Sequence, residues 1–178
     1  YAGLAGNRVV CIDLASASNV WTYSADDCAS FSAPAVDGAR VVVGGRDGRL
    51  HCLQCSDGQL LWTFTTRAAV EAAPVICGET VLCASTDGCL SAVNLATGEA
   101  VWTRDLGSPL HASPAVADGL IIAASEAGVL YALGDKLFVK EGPYIVNIPP
   151  GVPHSFQNLD DEVAELVVIF PSNVWEYD

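Results

Sequence analysis

Three imidazoles, seven thiols and 21 carboxylates are the side chains with which this 178-residue chain could do chemistry, and their spacing limits it. Cys52 and Cys55 form a C-x2-C, half of a tetrahedral zinc site, but no second pair follows at a suitable spacing. An alternating strand that ends in a turn accounts for both residues. The thiols at 11, 28, 52, 55, 77, 83 and 89 are an odd set, and most fall inside apolar runs. That pattern is expected of packed free thiols in a reducing compartment, which favours the cytoplasm. Asp13, Asp47 and Asp87 sit at strand ends and turns, whereas a calcium ion needs about six to eight oxygens. His51, His111 and His154 lie far apart, and no G-x-S-x-G offers a nucleophile. Neither G-x-G-x-x-G nor G-x4-G-K-[ST] occurs, so Gly44-Gly45 with Asp47-Gly48 reads as a hairpin and not a phosphate cradle.

Charge excludes whole classes of partner. Eight basic side chains against 21 acidic ones give a net charge of −13, so no basic stripe can neutralise phosphates. Nucleic acid and anionic membrane surfaces are therefore not expected partners. The longest apolar runs, such as the one ending at Phe170, fall short of the roughly 20 residues that span a bilayer. With 51% hydrophobic and 16% charged residues the chain is too apolar for disorder and should fold. It opens at Tyr1 and contains no Met, as expected of a processed or internal piece of a longer protein.

The elements that carry these side chains repeat. Trp21, Trp62 and Trp102 are 41 and 40 residues apart; Pro34, Pro74 and Pro114 keep a step of 40, as do Gly48, Gly88 and Gly128. S-A-P-A-V at 32–36 returns as A-A-P-V-I at 72–76 and A-S-P-A-V at 112–116. Within one copy, Ala33 to Val36, Arg40 to Gly44, Leu50 to Gln54 and Leu60 to Thr65 read as strands, separated by the turn dipeptides Asp47-Gly48 and Asp57-Gly58. Four strands per 40 residues make one antiparallel blade, which must stack on neighbours around a centre. The fold class is all-β: a partial β-propeller over 1–134, counted as a partial first blade to about Phe31, full blades at 32–71 and 72–111, and half a blade ending near Gly134.

The run Ala92-Val93-Asn94-Leu95-Ala96-Thr97-Gly98-Glu99-Ala100-Val101-Trp102 resembles the A-x-D-x-x-T-G-x-x-x-W repeat of PQQ-like β-propellers, with weaker copies at Cys52 to Trp62 and Cys11 to Trp21. The resemblance points to three groups: quinoprotein dehydrogenases, the bacterial outer-membrane assembly lipoprotein, and the C-terminal propeller of aminoadipate-semialdehyde-dehydrogenase-like proteins. The Cys-rich strands lean toward the last. It implies that Trp21, Trp62 and Trp102 pack between blades, supplying buried area. A quinone (PQQ) site often pairs adjacent Cys residues with a calcium ion, and this chain has no neighbouring Cys pair, so no cofactor is expected.

After Gly134 the repeat breaks off. Gly142, Pro149, Gly151, His154 and Asn158 resemble the second motif of cupins, G-x6-P-x-G-x2-H-x3-N, which implies a partial cupin-like β segment over 135–178. In metal-binding cupins that His is one ligand and an H-x-H motif supplies others; none occurs here, so His154 stands as a lone candidate for a divalent metal. Those strands are expected to finish the broken fourth blade. The function expected is a non-catalytic scaffold for a protein partner or further blades, or for a second copy through the open edges. The alternative is a remnant of a quinone-dependent dehydrogenase or of a metal-dependent cupin enzyme.

Overall fold

The computed structural model describes residues 1–4, 6–117 and 120–134. The cupin-like segment, with His154, lies outside them. The described residues are all-β, in four antiparallel sheets. The first is β1 (Ala2–Leu4), β2 (Arg8–Asp13) and β3 (Ser18–Ser24). The second is β4 (Ala35–Asp37), β5 (Arg40–Gly45), β6 (Arg49–Gln54) and β7 (Leu60–Thr65). The third is β8 (Val75–Cys77), β9 (Thr80–Ala84), β10 (Cys89–Asn94) and β11 (Ala100–Asp105). The fourth is β12 (Ala115–Ala117), β13 (Leu120–Ala124) and β14 (Leu130–Gly134). We call these sheets blades 1 to 4.

Strands pair in chain order within each blade, so each is a meander closed by tight turns. The fourth copy contributes three strands among the described residues, more than the half blade read from sequence, because Leu120 to Gly134 form a full hairpin. Among the described residues, blade 1 has no counterpart of the inner strand that β4, β8 and β12 supply to the others. Pro34, Pro74 and Pro114 each stand immediately before that inner strand, where a residue without an N–H costs no ladder bond. Gly48, Gly88 and Gly128 turn the next hairpin with φ of 77°, 87° and 79°, a region that a Cβ disfavours.

The inner strand β8 touches both β4 and β12, which places the short strands together and the Trp-bearing β3, β7 and β11 outermost. Because side chains alternate along a strand, each blade has two apolar faces. In blade 2, Val41, Val43 and Leu53 face blade 1 beside Val9 and Trp21. Val42, Leu50 and Cys52 face blade 3 beside Val81, Cys83 and Val93. A third cluster, around Leu82, Leu90, Ile121 and Leu133, joins blades 3 and 4. The core is therefore a row of seams.

Candidate functional site

The seam between blades 1 and 2 (seam 1|2) and the seam between blades 2 and 3 (seam 2|3) are each built by a turn that receives an indole. Trp21 leans from β3 onto the β6–β7 turn, donating its Nε1–H to the Cys55 carbonyl at 2.8 Å. One repeat on, Trp62 donates to the Leu95 carbonyl at 3.0 Å. The ring lies flat on a glycine: a Cβ on Gly58 would come within 2.6 Å of Trp21, and one on Gly98 within 2.7 Å of Trp62. Both glycines also hold positive φ, 75° and 76°. The turn is fixed locally, since Asn94 Oδ1 accepts from the Ala96 and Thr97 amides at 2.9 and 3.0 Å, and the Gly98 amide donates to the Asn94 carbonyl. Trp102 packs on the cluster between blades 3 and 4.

Seam 1|2 holds a buried polar chain that the sequence did not announce. His51 Nε2 lies 2.9 Å from Asp47 Oδ2, and its Nδ1 lies 3.0 Å from the Tyr23 hydroxyl. A carboxylate only accepts, so Nε2 carries the proton and Nδ1 accepts from Tyr23. Phe31 meets the imidazole edge-on with centroids 5.1 Å apart. His51 and Asp47 are only 2% and 3% exposed. Burial lowers the His51 pKa from its ordinary value, outweighing the upward pull of Asp47. Burial likewise raises the Tyr23 hydroxyl, with the Asp47 charge adding to it. The trio has acid–base side chains, with the His51 and Asp47 side chains shut away from solvent and Tyr23 half-buried. Only Asp47 and His51, four apart across one hairpin, were a sequence signal for it.

At seam 2|3 the same repeat positions hold Phe64 for Tyr23 and Ser91 for His51. The smaller Ser91 turns to Thr103, with hydroxyls 3.0 Å apart, and leaves a groove of about 320 Å³ bordered by Phe64, Arg67, Asp87 and Cys89. Burial raises the Asp87 carboxyl, but hydrogen bonds from the Ser85 hydroxyl and the Cys89 and Arg67 amides outweigh that and lower it. The Arg67 guanidinium crosses the mouth, 3.5 Å from both Asp87 and Asp105 and 2.9 Å from Cys89 Sγ.

A fourth feature runs across the blades. Arg46 pairs with Glu71 at 2.8 Å, Glu71 with His111 at 3.2 Å, and His111 faces Glu126 at 3.6 Å. Glu71 and His111 are repeat-equivalent and precede β8 and β12, so the pairs link blades 2, 3 and 4. Their exposure makes each worth little, about 0 to 1 kcal/mol.

Among the described residues the groove is a poor fit for the quinone named by the resemblance. A quinone bearing carboxylates would meet Asp87 and Asp105 in the groove, where Arg67 is already engaged by both. No two Cys are adjacent in sequence. Cys52 packs in seam 2|3 while Cys55 packs in seam 1|2, so the C-x2-C diverges. All seven thiols are free, and burial pushes Cys52 and Cys83 up to about 12. Among the described residues no three His, Cys, Asp or Glu converge as a metal site. No helix among them is long and apolar enough to cross a membrane.

Residues 5–136 match the family model described as outer membrane protein assembly factor BamB. Among solved structures, BamB from Moraxella catarrhalis superposes with a TM-score of 0.68 at 22% identity, covering 77% of this chain and 46% of that one. The computationally designed Ika4 protein gives a TM-score of 0.67 at 17% identity, covering 74% of this chain and 82% of that one. A quinohemoprotein alcohol dehydrogenase from Pseudomonas putida HK5 gives 0.55 at 20% identity, covering 61% of this chain and 19% of that one. At these identities the structural likenesses establish the fold, and this chain spans less than half the length of the BamB structure. No curated protein matches it. With the repeat, the four sheets and a family match over 5–136 in agreement, the chain belongs to the PQQ-like β-propeller repeat family described for the assembly factor BamB.

Proposed function

We propose that residues 1–134 act as a non-catalytic propeller segment, a rigid β scaffold that offers blade surfaces to a protein partner or to further blades. One observation carries this reading: the polar groups with chemical potential are engaged with one another. His51, Asp47 and Tyr23 bond to one another, and Arg67 is held by Asp87 and Asp105. Among the described residues every buried side-chain nitrogen or oxygen has a partner, as in a framework and unlike a site awaiting substrate. Membership of the BamB-like family supports the same reading.

A titration with PQQ, with and without calcium, followed by quinone absorbance and calorimetry, separates scaffold from dehydrogenase remnant. The scaffold predicts no saturable binding. Stoichiometric binding at micromolar concentration overturns it.

A further inference from the structure

We propose that the groove of seam 2|3 is a binding site for a small organic cation with a flat, N–H-donating head of the imidazolium or guanidinium type. The proposal goes beyond the scaffold reading, since the cation is held and not turned over. It starts from one repeat position followed through three seams. At seam 1|2 that position is His51, whose ring reaches Asp47. Between blades 3 and 4 it is Tyr131, 6% exposed, which donates its hydroxyl to the Leu106 carbonyl at 2.7 Å. At seam 2|3 it is Ser91, which has no ring. The aspartate is kept as Asp47 and Asp87 and gives way to Ala127 in the next copy. Of these three seams, 2|3 therefore keeps the carboxylate and drops the ring. The groove lies where the ring is missing: Phe64, Asp87 and Ser91, the equivalents of Tyr23, Asp47 and His51, all border it. Phe31, set edge-on to His51, has Glu71 as its equivalent, and Glu71 pairs with Arg46 and His111 instead.

The bonds of the two aspartates say what chemistry belongs there. A carboxylate accepts about four hydrogen bonds. Asp87 takes three of them from the Ser85 hydroxyl and the Cys89 and Arg67 amides. The fourth comes from Arg67 Nε at 3.5 Å, on a side chain that is 69% exposed. In seam 1|2 Asp47 Oδ2 receives a ring N–H at 2.9 Å in its place. Asp87 thus holds its cation at the outer limit of a hydrogen bond, and a flat donor seated as His51 is seated would shorten that contact. Two carboxylates, Asp87 and Asp105, against the one guanidinium of Arg67 leave the lining net negative, and the Ser91 and Thr103 hydroxyls add acceptor oxygens. Such a lining favours a head that carries positive charge and only donates. Phe64 adds an aromatic ring to the border, which suits a cation. A groove of about 320 Å³ is at the small end of ligand sites. Arg67 is the competitor, displaced at the cost of two side-chain contacts of 3.5 Å.

Titration of the full chain with methylguanidinium, and with imidazole at about pH 6 where the ring is mostly protonated, tests this by calorimetry and amide chemical shifts. The expected result is one saturable site with a Kd of about 1 mM, shifts centred on Ser85 to Ser91 and Thr103 to Asp105, and no uptake of acetate. Arg67→Gln removes the competitor and should tighten binding about fivefold, a gain that a merely structural role for Arg67 does not give. Asp105→Asn, at a side chain that is 61% exposed, should weaken binding about threefold without touching the fold. Ser91→His rebuilds the ring of seam 1|2 inside the groove and should weaken binding more than about tenfold. Should that variant not fold, the Arg67 and Asp105 variants decide. N-acetylhistidine methylamide separates the sources of the cation: binding as tight as imidazole assigns the groove to a partner's side chain, and binding about tenfold weaker assigns it to a free heterocycle. No saturation by either cation in the unaltered chain, equal binding of acetate, no gain from Arg67→Gln, or binding indifferent to a folded Ser91→His would each overturn the proposal. Failure to bind a cation leaves the scaffold reading standing; quinone binding ends the scaffold reading instead.

Discussion

Seams 1|2 and 2|3 are built from the same repeat yet end differently. Both seat an indole on a glycine and both keep an aspartate at the hairpin, Asp47 in one and Asp87 in the other. At two further repeat positions seam 1|2 puts His51 and Tyr23, which bond to each other. Seam 2|3, with Ser91 and Phe64 at those positions, keeps a groove of about 320 Å³. The difference teaches that turns and indoles set how blades meet, while two side chains per seam decide whether the meeting holds a buried hydrogen-bonded chain or a groove.

The shared part should be the most costly to disturb. Gly58→Leu forces a side chain into positive φ and into the Trp21 ring, so a loss of about 3 to 4 kcal/mol is expected by urea denaturation. A loss below about 1 kcal/mol would mean the indole is not seated there. Next comes the filling. His51→Ser copies seam 2|3 into seam 1|2 and strips partners from Asp47 and Tyr23, with an expected loss of about 2 to 3 kcal/mol. Tyr23→Phe alone should cost about 1 kcal/mol, and less in the His51→Ser background if the two act as one unit.

A smaller effect is read by pH. The folded His51 pKa lies below its ordinary value of 6.5, so above that value folded and unfolded chains bind the same number of protons at this site. As pH falls from there toward the lowered value, the unfolded chain takes up a proton that the folded one refuses, and stability declines. Melting curves between neutral and mildly acidic pH should show that decline, and His51→Gln should flatten it. The smallest effect is at the β2–β3 turn. Ala17→Gly relieves a Cβ held at a φ of 52°, and should raise stability by only about 0.5 kcal/mol by thermal melting.

Much of the scaffold was readable because its causes are local. Asp47-Gly48, Asp57-Gly58 and Thr97-Gly98 each mark a turn whose hydrogen bonds close within a few residues, so blade and strand order follow from the string of letters. The polar trio was not readable in the same way. Tyr23 and His51 are 28 residues apart and meet only when two sheets stack at a particular tilt. His51 therefore passed as an ordinary repeat residue and Asp47 as a turn residue. The groove was hidden for the same cause, since Ser91 looks unremarkable until the space left by a missing imidazole is seen.

By itself the amino-acid order determined the period, the antiparallel blades and their place in the PQQ-like repeat family, because φ preferences and alternation act over a few residues. The tertiary arrangement decided which face each side chain serves. It sent Cys52 and Cys55 into different seams and buried Asp47 against His51. Burial is a property of neighbours brought from elsewhere in the chain, and no local rule supplies them.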